Sequence, residues 1–208
     1  MQIYIVRHGE TNANQEGYLQ GWSNDPLNEN GRKLAEITGQ GMRDINFNCC
    51  ISSPLIRAQE TAEIILQESG NDIHIQFDDR IKEINFGTFE RISIRDEKVI
   101  RFLQNPIIDY KFSDGESIVE VMGRTQNFLK ELIARDDDKT YLISTHGCAS
   151  RALLNRFYEE PENFWQEGVP PNCAVSIVEA AGGQARLTQK DHVYCKANTD
   201  DMWARQKL

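Results

Sequence analysis

The sequence predicts an α/β three-layer sandwich: a mainly parallel central sheet with helices on both faces and a small helical cap near residues 85–115. Three observations predict it. Short apolar runs alternate with amphipathic stretches of helical period, the pattern of a parallel sheet covered on both faces. The chain has 208 residues, enough to bury one sizeable core. Its 39% hydrophobic and 26% charged content is that of ordinary globular proteins. One domain over residues 1–208, with the cap as an insertion, is the expected organisation.

Taken in order, Gln2–Val6 is a short apolar strand and Asn30 to Ile45 a helix, with apolar positions at Leu34, Ile37, Met42 and Ile45. A polar loop separates them. Cys49–Ser52 reads as a second buried strand, and Pro54 starts a helix through Ala58, Ala62, Ile65 and Leu66. His74 to Phe77 is a third strand. Glu83 to about Asp114 is irregular, with a helix over Arg95–Gln104 that Asn105–Pro106 ends. Glu116 to Arg135 is a long helix with Val119, Met122, Phe128, Leu129 and Leu132 on one stripe. Thr140–Ser144 is a strand and Gly147 to Tyr158 a helix. Ala174–Glu179 and Ala185–Gln189 form a hairpin turned by Gly182–Gly183.

The net charge of −9 argues against nucleic-acid binding, whose affinity comes mostly from basic surface. The N-terminus lacks the basic and apolar regions of a signal peptide, and no segment is apolar enough to span a bilayer. A cytoplasmic protein is expected. Cys49, Cys50, Cys148, Cys173 and Cys195 are odd in number and lack metal-like spacing, so reduced, mostly buried thiols are expected.

Two of the four histidines follow apolar strands directly and precede a glycine: Arg7–His8–Gly9 and Thr145–His146–Gly147. Parallel sheets bind ligands just beyond the carboxyl ends of their strands, so both sit where such a site belongs. The glycine lets the backbone turn and approach a ligand. Arg7 adjoins the first histidine, and Arg57 follows the second strand in Ser52–Ser53–Pro54–Leu55–Ile56–Arg57. Guanidinium groups bind phosphate bidentately and stay charged, so two of them beside two imidazoles suit a phosphoryl group. Arg32, Arg43 and Arg124 read instead as surface ion-pair residues, and Cys148 as packing.

Arg7–His8–Gly9–Glu10–Thr11 resembles the signature of the histidine phosphatase superfamily, which includes the cofactor-dependent phosphoglycerate mutases and many phosphatases. The resemblance continues through Asn14, Gln20–Gly21, Leu27–Asn28–Glu29–Asn30–Gly31, Ser52–Ser53–Pro54, Arg57–Ala58 and Thr61–Ala62. It runs on through Glu83, Phe86–Gly87, Gly115–Glu116–Ser117 and Ser144–Thr145–His146–Gly147, covering nearly the whole chain.

The resemblance implies a phosphoglycerate mutase-like fold and a covalent phosphohistidine on His8. Arg7, Arg57 and His146 would clamp the phosphoryl oxygens. Glu83 would be the acid and base, its carboxyl desolvated among apolar neighbours, with Glu90 as the rival. Asn14, Gln20 and Gly21 would touch the phosphate or the rest of the substrate. No metal and no cofactor is called for, because a fixed cationic cluster supplies the charge. The expected partner is a small-molecule phosphomonoester, with neither nucleic acid nor membrane; a homodimer is compatible with the sequence. Many relatives carry glycine where this chain has Arg91, which would then reach a second anionic group of the substrate.

Phosphatase and mutase share the first chemical step. The mutases carry a longer, arginine-rich insertion after the acid, whereas here Ile84–Asn85–Phe86–Gly87 stands as in small broad-specificity phosphatases. Asn172–Cys173–Ala174–Val175 resembles the same branch. The reading is therefore a metal-independent phosphatase. The alternatives are a cofactor-dependent phosphoglycerate mutase and a non-catalytic phospholigand-binding protein. The role of Ala197–Leu208 is not legible.

Overall fold

The computed structural model describes residues 1–166 and 168–194. The sheet consists of β1 (Gln2–Arg7), β2 (Cys49–Ser52), β3 (Ile75–Phe77), β4 (Thr140–Thr145), β5 (Val175–Ala181) and β6 (Gln184–His192). Their order is β3-β2-β4-β1-β5-β6. The first four strands run parallel; β5 lies antiparallel to β1, and β6 pairs antiparallel with β5 across the Gly182–Gly183 turn.

Among the described residues, six α-helices accompany the sheet: α1 (Asn12–Glu16), α2 (Glu29–Gly41), α3 (Ile56–Ser69), α4 (Glu97–Gln104), α5 (Ile118–Ile133) and α6 (Gly147–Leu154). Alternation along the inner strands builds the layers. Ile3, Ile5, Ile51 and Ile143 face one way and pack with Phe128, Leu129 and Leu132 of α5 and Leu153 of α6. Tyr4, Val6, Cys50 and Leu142 face the other way, against Ala35 of α2 and Ala62, Ile65 and Leu66 of α3. A third cluster lies under the 85–115 segment, where Phe86, Phe102, Phe112 and Trp165 meet edge to face at centroid separations of 5.2–5.9 Å.

Register fixes the site. Arg7 pairs with Thr145, and Ser52 with Ser144, so β1, β2 and β4 end side by side. The ladder continues one residue further, His8 N–H donating to the Thr145 carbonyl and Ser53 N–H to that of Ser144, each at 2.9 Å. His8, Ser53 and His146 therefore leave the sheet together.

Several elements differ from expectation. The polar loop after β1 holds α1, nucleated by a reciprocal cap between Thr11 and Asn14. The next helix begins one residue early, at Glu29, and ends at Gly41 rather than Ile45. Met42 closes it, wholly buried, and Ile45 lies in the following turn. α4 starts at Glu97 rather than Arg95 because Asp96 caps it. α5 starts at Ile118 rather than Glu116, with Ser117 and Glu120 capping it. Its buried stripe is Ile118, Val121, Thr125, Phe128, Leu129 and Leu132; Val119 is 47% exposed and Met122 lies between. The expected stripe mixed two faces, because one residue turns a helix by about 100°. α6 stops at Leu154, and a 3-10 turn (Asn155–Phe157) replaces its last predicted turn.

Candidate active site

His8 sits at the end of β1, 3% exposed. Its Nδ1 lies 2.6 Å from the Gly9 carbonyl, which can only accept, so Nδ1 carries the proton. Its Nε2 receives the Nε–H of Arg57 at 3.2 Å and thus bears a lone pair. Burial, then the charges of Arg57 and Arg7, hold the imidazole well below the usual histidine range, against a smaller opposing pull from the Gly9 carbonyl. Gly9 itself answers to packing: a Cβ there would stand 2.5 Å from the Gly31 carbonyl oxygen of α2. The close approach is to the protein's own backbone.

Arg57 is wholly buried in the first turn of α3. Its Nη1 and Nη2 donate to the carbonyls of Ser23 and Gly21, each at 2.7 Å. Burial lowers its pKa to about 10, with Glu83 opposing, so it stays charged at neutral pH. Arg7, also buried, donates Nη1–H to the Pro170 carbonyl.

His146 caps the N-terminal end of α6, its ring centroid 5.1 Å from that of His8. Ser53 Oγ stands 2.7 Å from its Nε2, while its Nδ1 is buried with no hydrogen-bond partner. Burial first, then Arg57, hold its pKa well below the usual value.

Glu83 is 6% exposed and lies at the start of α6. One carboxyl oxygen accepts from the amides of Ile84 and Ala149, the other from Cys148, at 2.9–3.1 Å. Burial raises its pKa above the carboxylate norm, although these bonds and Arg57 oppose the shift. Its loop is fastened by Arg124, which donates to the carbonyls of Arg80, Lys82 and Glu83 at 2.6–2.9 Å and pairs with Glu116. Arg124 is thus no simple surface ion-pair residue; the sequence held no signal for this, because its partners lie in a loop about forty residues away. Arg32 does pair at the surface, with Glu60 at 2.6 Å, while Arg43 reaches only the Glu68 carbonyl at 3.5 Å.

Arg7, His8, Asn14, Gln20 and Glu83 line one narrow cavity of about 40 Å³. Arg57 and His146 stand beside the His8 ring. Gly21 is not in the cavity lining; its carbonyl holds Arg57 and its amide bonds Glu90. Glu90 is committed there too, accepting from the amides of Trp22 at 2.7 Å and Gly21 at 3.1 Å. A Cβ on Gly21 would meet that carboxylate at 2.3 Å. Asn14 Oδ1 closes the α1 cap, and Gln20 bridges Thr11 Oγ1 to Asp25.

The Arg91 side chain is 58% exposed. The residue adopts a left-handed φ of 61°, which explains why glycine suits the position, and its guanidinium pairs with Asp25 at 2.6 Å. Cys148 is buried as packing, Cys49 and Cys50 are free thiols, Cys173 is buried, and Cys195 lies outside the described residues, as does Ala197–Leu208. Sequence reasoning passed over Ser53 as a partner of His146, and over Asn172, whose Nδ2 donates to the His8 carbonyl at 2.9 Å. Both stood in motifs already noted, without a role.

Among the described residues, no group of three or more His, Cys, Asp or Glu side chains is arranged to hold a metal ion, and no helix is long and apolar enough to cross a membrane. A family model described as the histidine phosphatase superfamily (branch 1) matches residues 3–191. A Citrobacter koseri protein named "Probable phosphoglycerate mutase GpmB" is 33% identical over 184 residues, 86% of this chain and 85% of its own. Bacillus stearothermophilus YhfR is 30% identical with a TM-score of 0.80, covering 92% of this chain and 97% of its own. A variant of Entamoeba histolytica phosphoserine phosphatase, solved with phosphoserine, is 27% identical with a TM-score of 0.77, covering 91% and 96%.

Proposed function

The chain belongs to the histidine phosphatase superfamily, and from that premise we propose that it hydrolyses small-molecule phosphomonoesters through a phosphohistidine on His8, without a metal. The observation that carries the reading is the neutral His8 ring: its proton is tied to Gly9 and its Nε2 lone pair lies among Arg57, Arg7 and Glu83.

In the first step the Nε2 lone pair attacks phosphorus and the P–O bond to the alcohol breaks. The protonated Glu83 carboxyl gives its proton to the leaving oxygen. Arg57 Nε–H, now on the His8 lone pair, turns to a phosphoryl oxygen, and Arg7 and His146 take others. In the second step Glu83 accepts a proton from water, the oxygen attacks phosphorus, and the N–P bond returns its electron pair to Nε2. Inorganic phosphate leaves. Burial of Glu83 favours its protonated form above the usual carboxylate range, and its three amide bonds support the ionised form it takes between steps.

The name of the Citrobacter relative favours a second reading, a mutase in which a product hydroxyl replaces water. A phosphate-release assay on a panel of phosphomonoesters, with chelator present and His8→Ala as control, tests both. Chelator-insensitive release that the variant loses is the expected result. Exchange between phosphoglycerate isomers primed by bisphosphoglycerate, with no release, would establish the mutase. Silence in both would leave a phospholigand-binding protein.

A further inference from the structure

Past His8 and Arg7, the cavity wall is hydrocarbon. Leu19, Phe86, Leu103, Trp165 and Val169 line it, and its polar members, Asn14 and Gln20, are uncharged. Arg7 is the single basic side chain in the lining among the described residues, and it belongs to the phosphoryl end. Three neighbouring cations carry partners of their own. Arg91 is held by Asp25 at 2.6 Å. Lys82 lies 3.8 Å from the centroid of the Trp22 ring and 3.6 Å from Asp79. Arg124 is spent on three carbonyls and Glu116. The carboxyl group in the cavity lining, Glu83, would repel an anion whenever it is ionised.

Resting on the phosphohistidine reading above, we infer that this site selects phosphomonoesters whose transferred phosphoryl is the only anionic group, the leaving alcohol being uncharged. The cavity measures about 40 Å³, room for a few water molecules. An alcohol attached to a seated phosphoryl group therefore touches the wall directly, with little water between. A carboxylate or second phosphate on that alcohol surrenders its hydration to a mostly apolar wall whose polar members, the Asn14 and Gln20 amides, carry no positive charge. An uncharged alcohol loses far less and gains apolar contact. This separates the chain from chemistry on phosphoglycerates, whose carboxylate must be met by a cation.

The test compares three esters of one ring with the wild-type protein at pH 7: phenyl phosphate, 4-(hydroxymethyl)phenyl phosphate and 4-carboxyphenyl phosphate. The hydroxymethyl ester separates charge from polarity. The expected kcat/KM of the carboxylate ester is lower than the other two by about 30-fold or more, and the two neutral esters lie within a few-fold of each other. Val169→Lys, at a half-buried wall position, narrows the gap about tenfold by supplying the missing cation. Equal turnover of all three, or preference for the carboxylate, overturns the inference while leaving the phosphatase reading standing. No release from any ester, with no label on His8 from a radioactive phosphodonor, overturns that reading and this inference with it. If Val169→Lys fails to fold, the wild-type comparison alone decides.

Discussion

The Nε–H of Arg57 is aimed at Nε2 of His8 across 3.2 Å, so the atom assigned as nucleophile is held as a hydrogen-bond acceptor before any substrate arrives. Burial is the larger cause of the ring's lowered pKa, and the same contact adds to it, because a buried cation at that distance disfavours protonation.

The acidic limb of kcat/KM should accordingly lie below the usual histidine pKa of about 6.5. In Arg57→Gln the cation is gone, so the His8 pKa rises and the limb moves to higher pH, while the rate also falls. A pH–rate profile checks this; a limb that stays in place would show that Arg57 does not tune His8.

The same shifts bear on stability. With the folded pKa values of His8 and His146 below the unfolded one, the unfolded chain binds more protons as pH falls beneath about 6.5, so stability drops towards acid. Glu83, shifted upward, acts with the opposite sign: its contribution is present below its unfolded pKa and lost as pH rises through the folded one. Melting curves between pH 7 and 5 should be flatter for His8→Ala than for the wild type. An equal slope would mean that His8 titrates normally.

Glu83→Gln removes the proton donor and keeps the shape. Alkyl phosphates, whose alkoxide leaves poorly, should lose about 100- to 1000-fold in kcat/KM, and p-nitrophenyl phosphate much less. Equal losses on both would place Glu83 in orientation rather than proton transfer.

Arg124→Met removes the side-chain donor of the Arg80 and Lys82 carbonyls and one of the donors of the Glu83 carbonyl and the Glu116 carboxylate, which keep the Trp22 indole and the Asn85 amide. We expect a destabilisation of about 2–3 kcal/mol by denaturant titration. The loss of rate should be larger for alkyl than for aryl esters, because the loop carries Glu83. A rate loss independent of the leaving group would indicate a structural effect alone.

Arg91→Gly tests the strained position. Relief of the left-handed backbone, about 1 kcal/mol, is offset by glycine's extra freedom when unfolded, and the lost Asp25 pair is exposed and weak. Stability should change by less than about 1 kcal/mol, and kinetics on neutral esters should be unchanged.

The layered fold was legible because its causes are local. Short continuous apolar runs such as Ile3–Val6 and period-3.6 stretches such as Ala58–Leu66 declare strand and helix without reference to anything distant. His8 and His146, each closing an apolar run, could be placed at the carboxyl edge for the same reason. Helix ends were less legible: Ser117, Asp96 and Thr11 cap through side-chain bonds that compete with neighbouring residues for the same amides.

The sequence by itself determined the α/β order, the strand ends that carry the two histidines, and the residue types able to meet a phosphoryl group. The tertiary structure alone decided which groups meet. Ser53 joins His146 across 93 residues of chain, Glu83 lies on the amides of α6, Arg124 turns inward and Arg91 outward. It also decided which apolar side chains share the cavity wall with the polar ones. Periodicity reports how a segment faces its own core, whereas a hydrogen-bond partner or a cavity wall is fixed only when distant segments close on one another and their buried polar atoms must be satisfied.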